Sequence, residues 1–304
     1  QPYYDKIVAK YIPDNASRVQ ALQTGEIDLI YGSAELSYED YNQATAIEGI
    51  EGKFAPSGST IRNIILNFNG NLADLSVRQA LAYAIDKEAI SEGLTYGYEP
   101  VANTIVPEGT PYSDICGTVE YSYDVDKANQ LLDDAGWTMN ESTGIREKDG
   151  ANISAAFLYQ TGSASDDNLV VYICDQAQKI GIELTPQSAA MMDWYAMVQS
   201  GDYGLTVFKT QGGFYDPANV VTNINPQTSM DPIVMLLGST QPELADLVAE
   251  LDSSTDETRI QEIYQTILTT IADEELTTPL VYMHQLAIYS DKITDYTFPM
   301  DSNF

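Results

Sequence analysis

Helical segments that end at a glycine and lead directly into a strand recur along the chain and constrain its fold class most. One helical face ends at Gly25, before a short apolar run. The same order recurs at Gly181 and Gly201, which precede the apolar runs Ile182–Leu184 and Leu205–Phe208. Glycine easily takes the left-handed conformation that ends a helix. Helices that alternate with strands in this way predict an α/β fold, with helices covering the faces of sheets.

Apolar spacing defines further elements. A helix is predicted over Ala16–Thr24 with Asp14 or Asn15 as its cap, and Thr255 is predicted to cap a helix with a buried stripe from Ile260 to Ile271. Three strands and two loops complete this prediction; the strands are Lys6–Ile12, Ile27–Ile30 and Ile61–Phe68, and the loops are Asn140–Gly150 and Asn223–Met230.

One stretch has an especially complete helical pattern. Ser76 and Gln79 have the spacing of a capping box. The residues that follow at helical spacing form one apolar face, namely Val77, Ala80, Leu81, Ala84 and Ile85. Three charged residues lie off that face and are Arg78, Asp86 and Lys87.

Composition limits the partners. The chain has 304 residues, enough for two sizeable lobes, and carries 45 acidic against 14 basic residues. Such a surface repels phosphate backbones and anionic lipid, so nucleic acid is not an expected partner. The acids are scattered, as in a solvated surface. No stretch of the sequence approaches the length and hydropathy of a membrane span.

Motifs for catalysis are missing from the sequence. Its single histidine, His284, lies in a strand-like run, which favours a structural role. No nucleophile elbow, phosphate-binding loop or dinucleotide fingerprint occurs. The spacing of Cys116 and Cys174 fits neither a redox motif nor a zinc site, and leaves a disulfide and two buried thiols both open. We therefore expect that the protein is not an enzyme and that it holds no resident metal and no cofactor.

Several separate motifs resemble one family in order and approximate spacing. They are Arg18–Asp28 (RVQALQTGEID), Val77–Ile90 (VRQALAYAIDKEAI), Tyr123–Trp137 (YDVDKANQLLDDAGW), Tyr215-Asp216-Pro217 and Thr278–Tyr282 (TPLVY). This set is similar to the extracytoplasmic solute-binding proteins of ABC importers that take up oligopeptides, dipeptides and nickel. The resemblance covers the chain from end to end.

The resemblance implies a fold of the periplasmic-binding-protein type II, with mixed sheets flanked by helices. Because the family pattern begins part-way through, it implies a C-terminal fragment with one complete lobe and part of a second. Residues 1–60 would belong to the partial first lobe, 61–289 to the second lobe, and 290–304 to a segment returning to the first.

A glycine pair after the strand Leu205–Phe208 is the best candidate for ligand binding, because it allows the backbone to approach a ligand closely. Aromatic side chains beside it could form walls of a pocket, although a turn with core aromatics has the same pattern. The family resemblance implies that this loop lines the cleft. The predicted contacts are Gln211, Gly212, Gly213, Phe214, Tyr215 and Asp216.

The loop departs from both ligand classes of the family. Peptide binders commonly carry an aspartate where Gly213 stands, to pair with the α-ammonium of the ligand. Nickel-type members usually carry a tryptophan where Gln211 stands and a histidine where Ser229 falls. Neither class is therefore matched residue by residue.

Three further residues are secondary candidates. Asn67 and Asn69 share one face of a predicted strand, which could point into the cleft or form a solvated edge. Trp194 begins an apolar helix face, a position that also predicts a place in the core.

The resemblance implies a monomeric substrate-binding component that captures a peptide or a nickel or other metal chelate by lobe closure and delivers it to permease subunits. The location would be extracytoplasmic, either periplasmic or on the cell surface as a lipoprotein. The alternative from a different class is a hydrolase that uses a carboxylate pair.

Overall fold

The computed structural model describes residues 4–12, 14–31, 36–55, 60–105, 121–162, 164–209, 236 and 243–298. The helices in these ranges are α1 (Asn15–Gln23), α2 (Tyr38–Thr45), α3 (Leu75–Ala84), α4 (Lys87–Thr95), α5 (Val125–Asp134), α6 (Ala164–Lys179), α7 (Met191–Ser200), α8 (Glu243–Ser253) and α9 (Glu257–Asp273). The strands are β1 (Leu29–Tyr31), β2 (Ile50–Phe54), β3 (Thr60–Leu66), β4 (Thr138–Asn140), β5 (Ile145–Lys148), β6 (Ala151–Asn152), β7 (Ser154–Gln160), β8 (Glu183–Ala189), β9 (Leu205–Lys209), β10 (Thr277–Met283) and β11 (Leu286–Ser290). The predicted α/β class is confirmed.

The described residues divide into two compact units. Unit 1 comprises residues 4–55 and 284–298, and unit 2 comprises residues 60–283. The chain re-enters unit 1 at His284, earlier than the predicted boundary at residue 290. The reason is that β11 belongs to the sheet of unit 1, where it pairs with β1 and β2.

Unit 1 has a three-stranded antiparallel sheet in the order β1-β11-β2. The central strand, β11, comes from the C-terminal part of the chain. Tyr289 of β11 pairs with Leu29, and Leu286 of the same strand pairs with Phe54. Helices α1 and α2 bury Leu22 and Ala44.

The strand predicted over Lys6–Ile12 does not form. The segment is irregular, and its side chains Ile7 and Tyr11 are 86% and 91% exposed. A strand needs a partner for its backbone groups, and none of the described strands pairs with this segment.

This difference leads to an expected result for amide exchange. We expect the amides of residues 6–30 to exchange faster than those of residues 260–271, because the latter lie in a helix with a buried face. Hydrogen–deuterium exchange followed by mass spectrometry measures both regions in one sample. Equal protection of the two regions would contradict the expectation.

Unit 2 has a five-stranded mixed sheet in the order β10-β3-β9-β7-β8. Strand β7 runs parallel to β8 and β9, and β3 runs antiparallel to β9 and β10. Side chains alternate between the two faces. One face packs on α3, α5 and α6 through residues that include Ile64, Leu66, Leu81, Leu132 and Ile173. The other packs on α7, α8 and α9 through residues that include Ile65, Leu158, Trp194, Val248, Ile263 and Ile267.

Aspartates start several helices of the chain. Asp14 caps α1, which is one of the two predicted alternatives. The capping box predicted for Ser76 and Gln79 is wrong, because Asp74 caps α3 and accepts a hydrogen bond from the Ser76 amide. Asp256, not Thr255, caps α9. In each case a charged carboxylate meets the positive end of the helix dipole.

The apolar face predicted for α3 is confirmed, with all five of its residues at most 2% exposed. Arg78 lies off that face and is nevertheless buried. Its guanidinium lies 3.9 Å from the centre of the Phe68 ring and donates to the backbone oxygens of Leu72 and Glu274. These partners offset the cost of burying its charge. Lys87 belongs to a separate helix, because the chain becomes extended at Ile85 and Asp86 caps α4.

The loop predicted over Asn140–Gly150 is wrong in part, because β4, β5 and β6 form a small antiparallel sheet there. Arg146 of β5 is buried and donates to the backbone oxygens of Ile180 (3.0 Å) and Trp137 (2.5 Å). It also donates to the side chain of Asn129 at 2.9 Å. The predicted helix end at Gly181 is confirmed by its positive φ of 78°.

None of the described helices is both long enough and apolar enough to cross a bilayer.

Candidate functional site

The predicted ligand loop, Gln211–Asp216, lies outside the described residues, as does Ser229. The strand that leads to this loop is described. Strand β9 lies in the centre of the sheet of unit 2, between β3 and β7, and ends at Lys209.

Lys209 is the last residue of β9 and lies at the edge of the sheet that the carboxyl ends of the parallel strands form, where ligands commonly bind in α/β folds. Because β7 runs parallel to β8 and β9, the carboxyl ends of these three strands share one edge. Arg62, near the start of antiparallel β3, pairs with Lys209 at that edge. Thr60 and Met283, where the chain enters and leaves unit 2, pair beside them.

Four charged side chains meet at this edge, and we call Arg62, Glu99, Asp166 and Lys209 the edge cluster. Nη1 of Arg62 donates to Oδ1 of Asp166, and the Lys209 ammonium lies 2.9 Å from Oδ2 of the same carboxylate. Nη2 of Arg62 lies 3.8 Å from Oε1 of Glu99. Asp166 also lies in the first turn of α6, where the helix dipole favours a negative charge.

The edge cluster is buried except for Lys209, whose side chain is about one-third exposed. Two cations face two carboxylates, so the charges balance within the cluster. Buried charges are tolerated when they are paired and hydrogen-bonded. The arrangement therefore holds the end of β9, and with it the starting point of the predicted ligand loop, against β3 and α6.

Asn67 and Asn69 lie at the opposite edge of the sheet. They follow Leu66, which pairs with Leu205 at the beginning of β9. Both side-chain amides donate to the same two backbone oxygens, those of Gly201 and Tyr203, at 3.0 to 3.1 Å. The predicted shared strand face is wrong, because β3 ends at Leu66 and both residues follow it, and the structure does not bring these amides together with Lys209. Their role in ligand binding stays a prediction that this position does not favour.

Trp194 of α7 is completely buried. Its indole Nε1 donates to Oγ1 of Thr206 at 2.9 Å, and its ring stacks on Phe208 with a centroid separation of 6.4 Å. It packs with Leu158 and Val198. This environment matches the core position that its helix face predicts, while ligand contact stays a prediction.

His284 lies in unit 1, half-buried, with Nδ1 3.3 Å from the backbone oxygen of Ala55. That contact agrees with the structural role predicted for it. In the described part of the chain no three His, Cys, Asp or Glu side chains are grouped so as to hold a metal ion. Cys174 carries a free thiol whose pKa is raised by burial to about 11, while Cys116 lies outside the described residues.

A second charged pair lies inside unit 2, away from the sheet edge. Lys87 at the start of α4 and Glu275 after α9 are both buried. Burial lowers the pKa of Lys87 to about 8 and raises the pKa of Glu275 to about 7. Their mutual attraction opposes both shifts without cancelling them.

The raised pKa of Glu275 predicts the pH dependence of stability. A carboxyl whose pKa is higher in the folded than in the unfolded state costs stability as pH rises from about 4.5 to about 7. The charged neighbours Lys87 and Arg78 remain protonated over this range, as does the phenol of Tyr121, so Glu275 is the group of this set that titrates. We expect Glu275→Gln to become more stable relative to the parent chain as pH is raised from 5 to 7.5.

Urea unfolding at several pH values measures this difference. Glu274→Gln is the control at the neighbouring position, because the Glu274 side chain is partly exposed while Glu275 is buried. A pH-independent difference between Glu275→Gln and the parent would contradict the expectation.

The sequence did not predict the edge cluster, nor did it predict the buried Lys87 and Glu275. One signal was present, since Arg62 interrupts the apolar strand Ile61–Leu66, where a buried charge needs a partner. Nothing in the local sequence identifies Asp166 as that partner.

Comparison with protein families gives a match over residues 1–231 to the description "Bacterial extracellular solute-binding proteins, family 5 Middle". Among curated proteins, the nickel-binding periplasmic protein of Escherichia coli K12 is 28% identical over 295 residues, which cover 95% of the chain and 55% of that protein. The oligopeptide-binding protein AppA of Bacillus subtilis 168 is 24% identical over 315 residues, covering 98% of the chain and 54% of that protein. The chain thus spans about half the length of these relatives.

Solved structures give the same result for the fold. The structure of NikA from Brucella suis in complex with Fe(III)-EDTA has a TM-score of 0.91 and 28% identity, covering 99% of this chain and 61% of that one. The structure of AppA from Bacillus subtilis with a nonapeptide has a TM-score of 0.79 over 96% of this chain and 57% of that one; at 22% identity it supports the fold alone. The predicted type of fold, with mixed sheets flanked by helices, is confirmed.

Proposed function

Because the chain belongs to the bacterial extracellular solute-binding proteins of family 5, we propose that it supplies part of the ligand-binding wall of an ABC importer's substrate-binding protein. No chemical step is needed for this function, since capture follows from closure of lobes around a ligand. Delivery to permease subunits and an extracytoplasmic location, periplasmic or through a lipid anchor, belong to the same proposal.

A metal chelate is the ligand class that we propose first. The observation that carries this choice is the TM-score of 0.91 at 28% identity over 99% of the chain to a protein solved with Fe(III)-EDTA. A nickel-binding relative at 28% identity supports the same choice. A peptide is the second candidate, supported by the oligopeptide-binding relative at 24% identity. No observation favours the hydrolase alternative.

Binding should be tested on the longest natural chain that contains this sequence, and on the present 304 residues beside it. Native mass spectrometry and calorimetry would use a nickel chelate, a free-amine peptide pool and the same pool N-acetylated. We expect the longer chain to bind the chelate more tightly than either peptide pool, and the 304-residue chain to bind weakly because it supplies fewer contacts. Tight binding of free-amine peptides alone would establish a peptide as the ligand. Equal affinity of both chains would contradict the proposal that this chain supplies only part of the ligand-binding wall.

The predicted loop Gln211–Asp216 supplies the proposed contacts, and Tyr215 is the sharpest test among them. A buried hydroxyl that pairs with a ligand costs roughly 1–3 kcal/mol to remove. We expect Tyr215→Phe in the longer chain to weaken binding by about tenfold while its melting temperature stays nearly unchanged. Tyr123→Phe, which removes the hydroxyl of an exposed tyrosine, is the matched control. Unchanged affinity in Tyr215→Phe would show that the loop is not the binding site.

A further inference from the structure

A small cavity lies inside unit 2, between the first turn of α4, residues 103–105, the end of α9 and the beginning of β10. Its volume is about 30 Å³. Four of the side chains that line it are both polar and buried, and these are Lys87, Tyr121, Glu275 and Thr277. Apolar side chains such as Ile105, Leu268 and Ile271 form much of the remaining wall, so the lining is mixed, unlike the wholly apolar voids that stay dry in protein cores.

Two hydroxyl groups of this lining, Oη of Tyr121 and Oγ1 of Thr277, are buried without a hydrogen bond of good geometry to a protein atom. Of the two, Oη of Tyr121 does lie close enough to the Gln79 and Glu275 side chains to interact with them. Tyr121 and Thr277 are 6% and 2% exposed, so bulk water does not reach them freely. Most buried polar groups in folded proteins have a partner, either from the protein or from ordered water.

The two charged groups also have spare hydrogen-bonding capacity. Among the described residues, the Lys87 ammonium makes one long hydrogen bond, 3.4 Å to the backbone oxygen of Ala102, although it carries three N–H donors. The Glu275 carboxylate accepts from Oγ1 of Thr278 at 2.7 Å. No direct ion pair joins Lys87 to Glu275 in the described structure, although both line the cavity.

We propose that this cavity is a hydration site in which ordered water bridges the Lys87 ammonium, the Glu275 carboxyl group and the hydroxyls of Tyr121 and Thr277. A buried water needs about 10–15 Å³ and two to four polar partners, so the volume suits roughly two molecules. Water in this position gives each orphaned hydroxyl a partner and joins the two charges through hydrogen bonds. It thereby links α4 to the turn between α9 and β10.

The sign of a stability change distinguishes a hydrated cavity from a dry one. Thr277→Val and Tyr121→Phe each remove a hydroxyl with little change in shape. In a dry cavity an unpaired hydroxyl destabilises the folded state, so both substitutions would stabilise the chain. In a hydrated cavity each removes a partner of the water, and we expect the unfolding equilibrium constant to rise about fivefold in each variant. Thr206→Val is the control, because the Thr206 hydroxyl accepts a hydrogen bond directly from Trp194. Its loss of stability shows how much a direct buried hydrogen bond contributes in this protein.

A high-resolution crystal structure of the parent chain gives the second measurement. We expect water density within hydrogen-bonding distance of Thr277 Oγ1, and the loss or displacement of that density in Thr277→Val. If the two variants disagree in sign, or one does not fold, the density in the parent decides. A cavity without water density, at a resolution that shows other buried waters, would overturn the proposal.

Discussion

Asp166→Asn is expected to destabilise the chain by about 3–5 kcal/mol, because it removes a carboxylate that two cations share. The Arg62 guanidinium and the Lys209 ammonium both contact Asp166, which is only 7% exposed. Without its charge, Arg62 keeps the more distant Glu99 as its acidic partner within the edge cluster. Urea unfolding of the parent and the variant at neutral pH measures the change.

A matched control lies on the same helix. Asp175→Asn removes the carboxylate of an exposed pair with Lys179, and Asp175 is 68% exposed. Exposed pairs contribute little, so its effect should be a small fraction of that of Asp166→Asn. The double variant Arg62→Met with Asp166→Asn should lose further stability, because it also takes the Arg62 guanidinium away from the buried Glu99 carboxylate. Equal effects at Asp166 and Asp175 would contradict this account of the edge cluster.

Arg146→Met is expected to cost about 3 kcal/mol. The substitution keeps much of the apolar stem but removes the donors for the backbone oxygens of Trp137 and Ile180 and for the Asn129 side chain. Those acceptors then lose their partner at a buried position, which is the costly half of losing a hydrogen bond.

Arg259→Met is the control for Arg146→Met. Arg259 forms ion pairs with the carboxylates of Glu250 and Glu262, but it lies on the surface, whereas Arg146 is buried and pairs with the single exposed carboxylate of Asp133. We expect the Arg146 variant to unfold at a clearly lower urea concentration than the Arg259 variant. Similar midpoints would show that buried and exposed arginines are equivalent here, contrary to the hydrogen bonds described above.

Local sequence patterns predicted much of the fold, because helix faces and helix ends depend on residues that are close together in the sequence. The buried face of α3 and the stripe of α9 follow from helical spacing, and the ends at Gly181 and Gly201 follow from the ease with which glycine takes positive φ. The turn Asp149-Gly150 carries a local hairpin signal at the end of the predicted loop. Both residues have positive φ, as a type I′ turn requires, and they join β5 to β6.

The remaining differences depend on partners that are distant in sequence. The alternation in Lys6–Ile12 fits a strand, yet a strand forms only where another one pairs with it. Arg62 and Asp166 meet only after the sheet and α6 have assembled, so neither position predicts the other. Asn67 and Asn69 follow the end of β3 and do not lie on it, and the register of β3 against β9 decides which edge of the sheet they occupy.

The central position of β11 has a consequence for the order in which the chain can fold. During synthesis β1 and β2 are made well before β11, which among the described strands is the one that pairs with both. Contacts between such distant segments form slowly because a long loop must close first. All five strands of unit 2 are complete before β11 exists, and four of them precede α8 and α9, so that sheet can begin to assemble earlier. Until then β1 and β2 have unpaired backbone edges, and unpaired edges of this kind favour wrong pairing in a nascent chain.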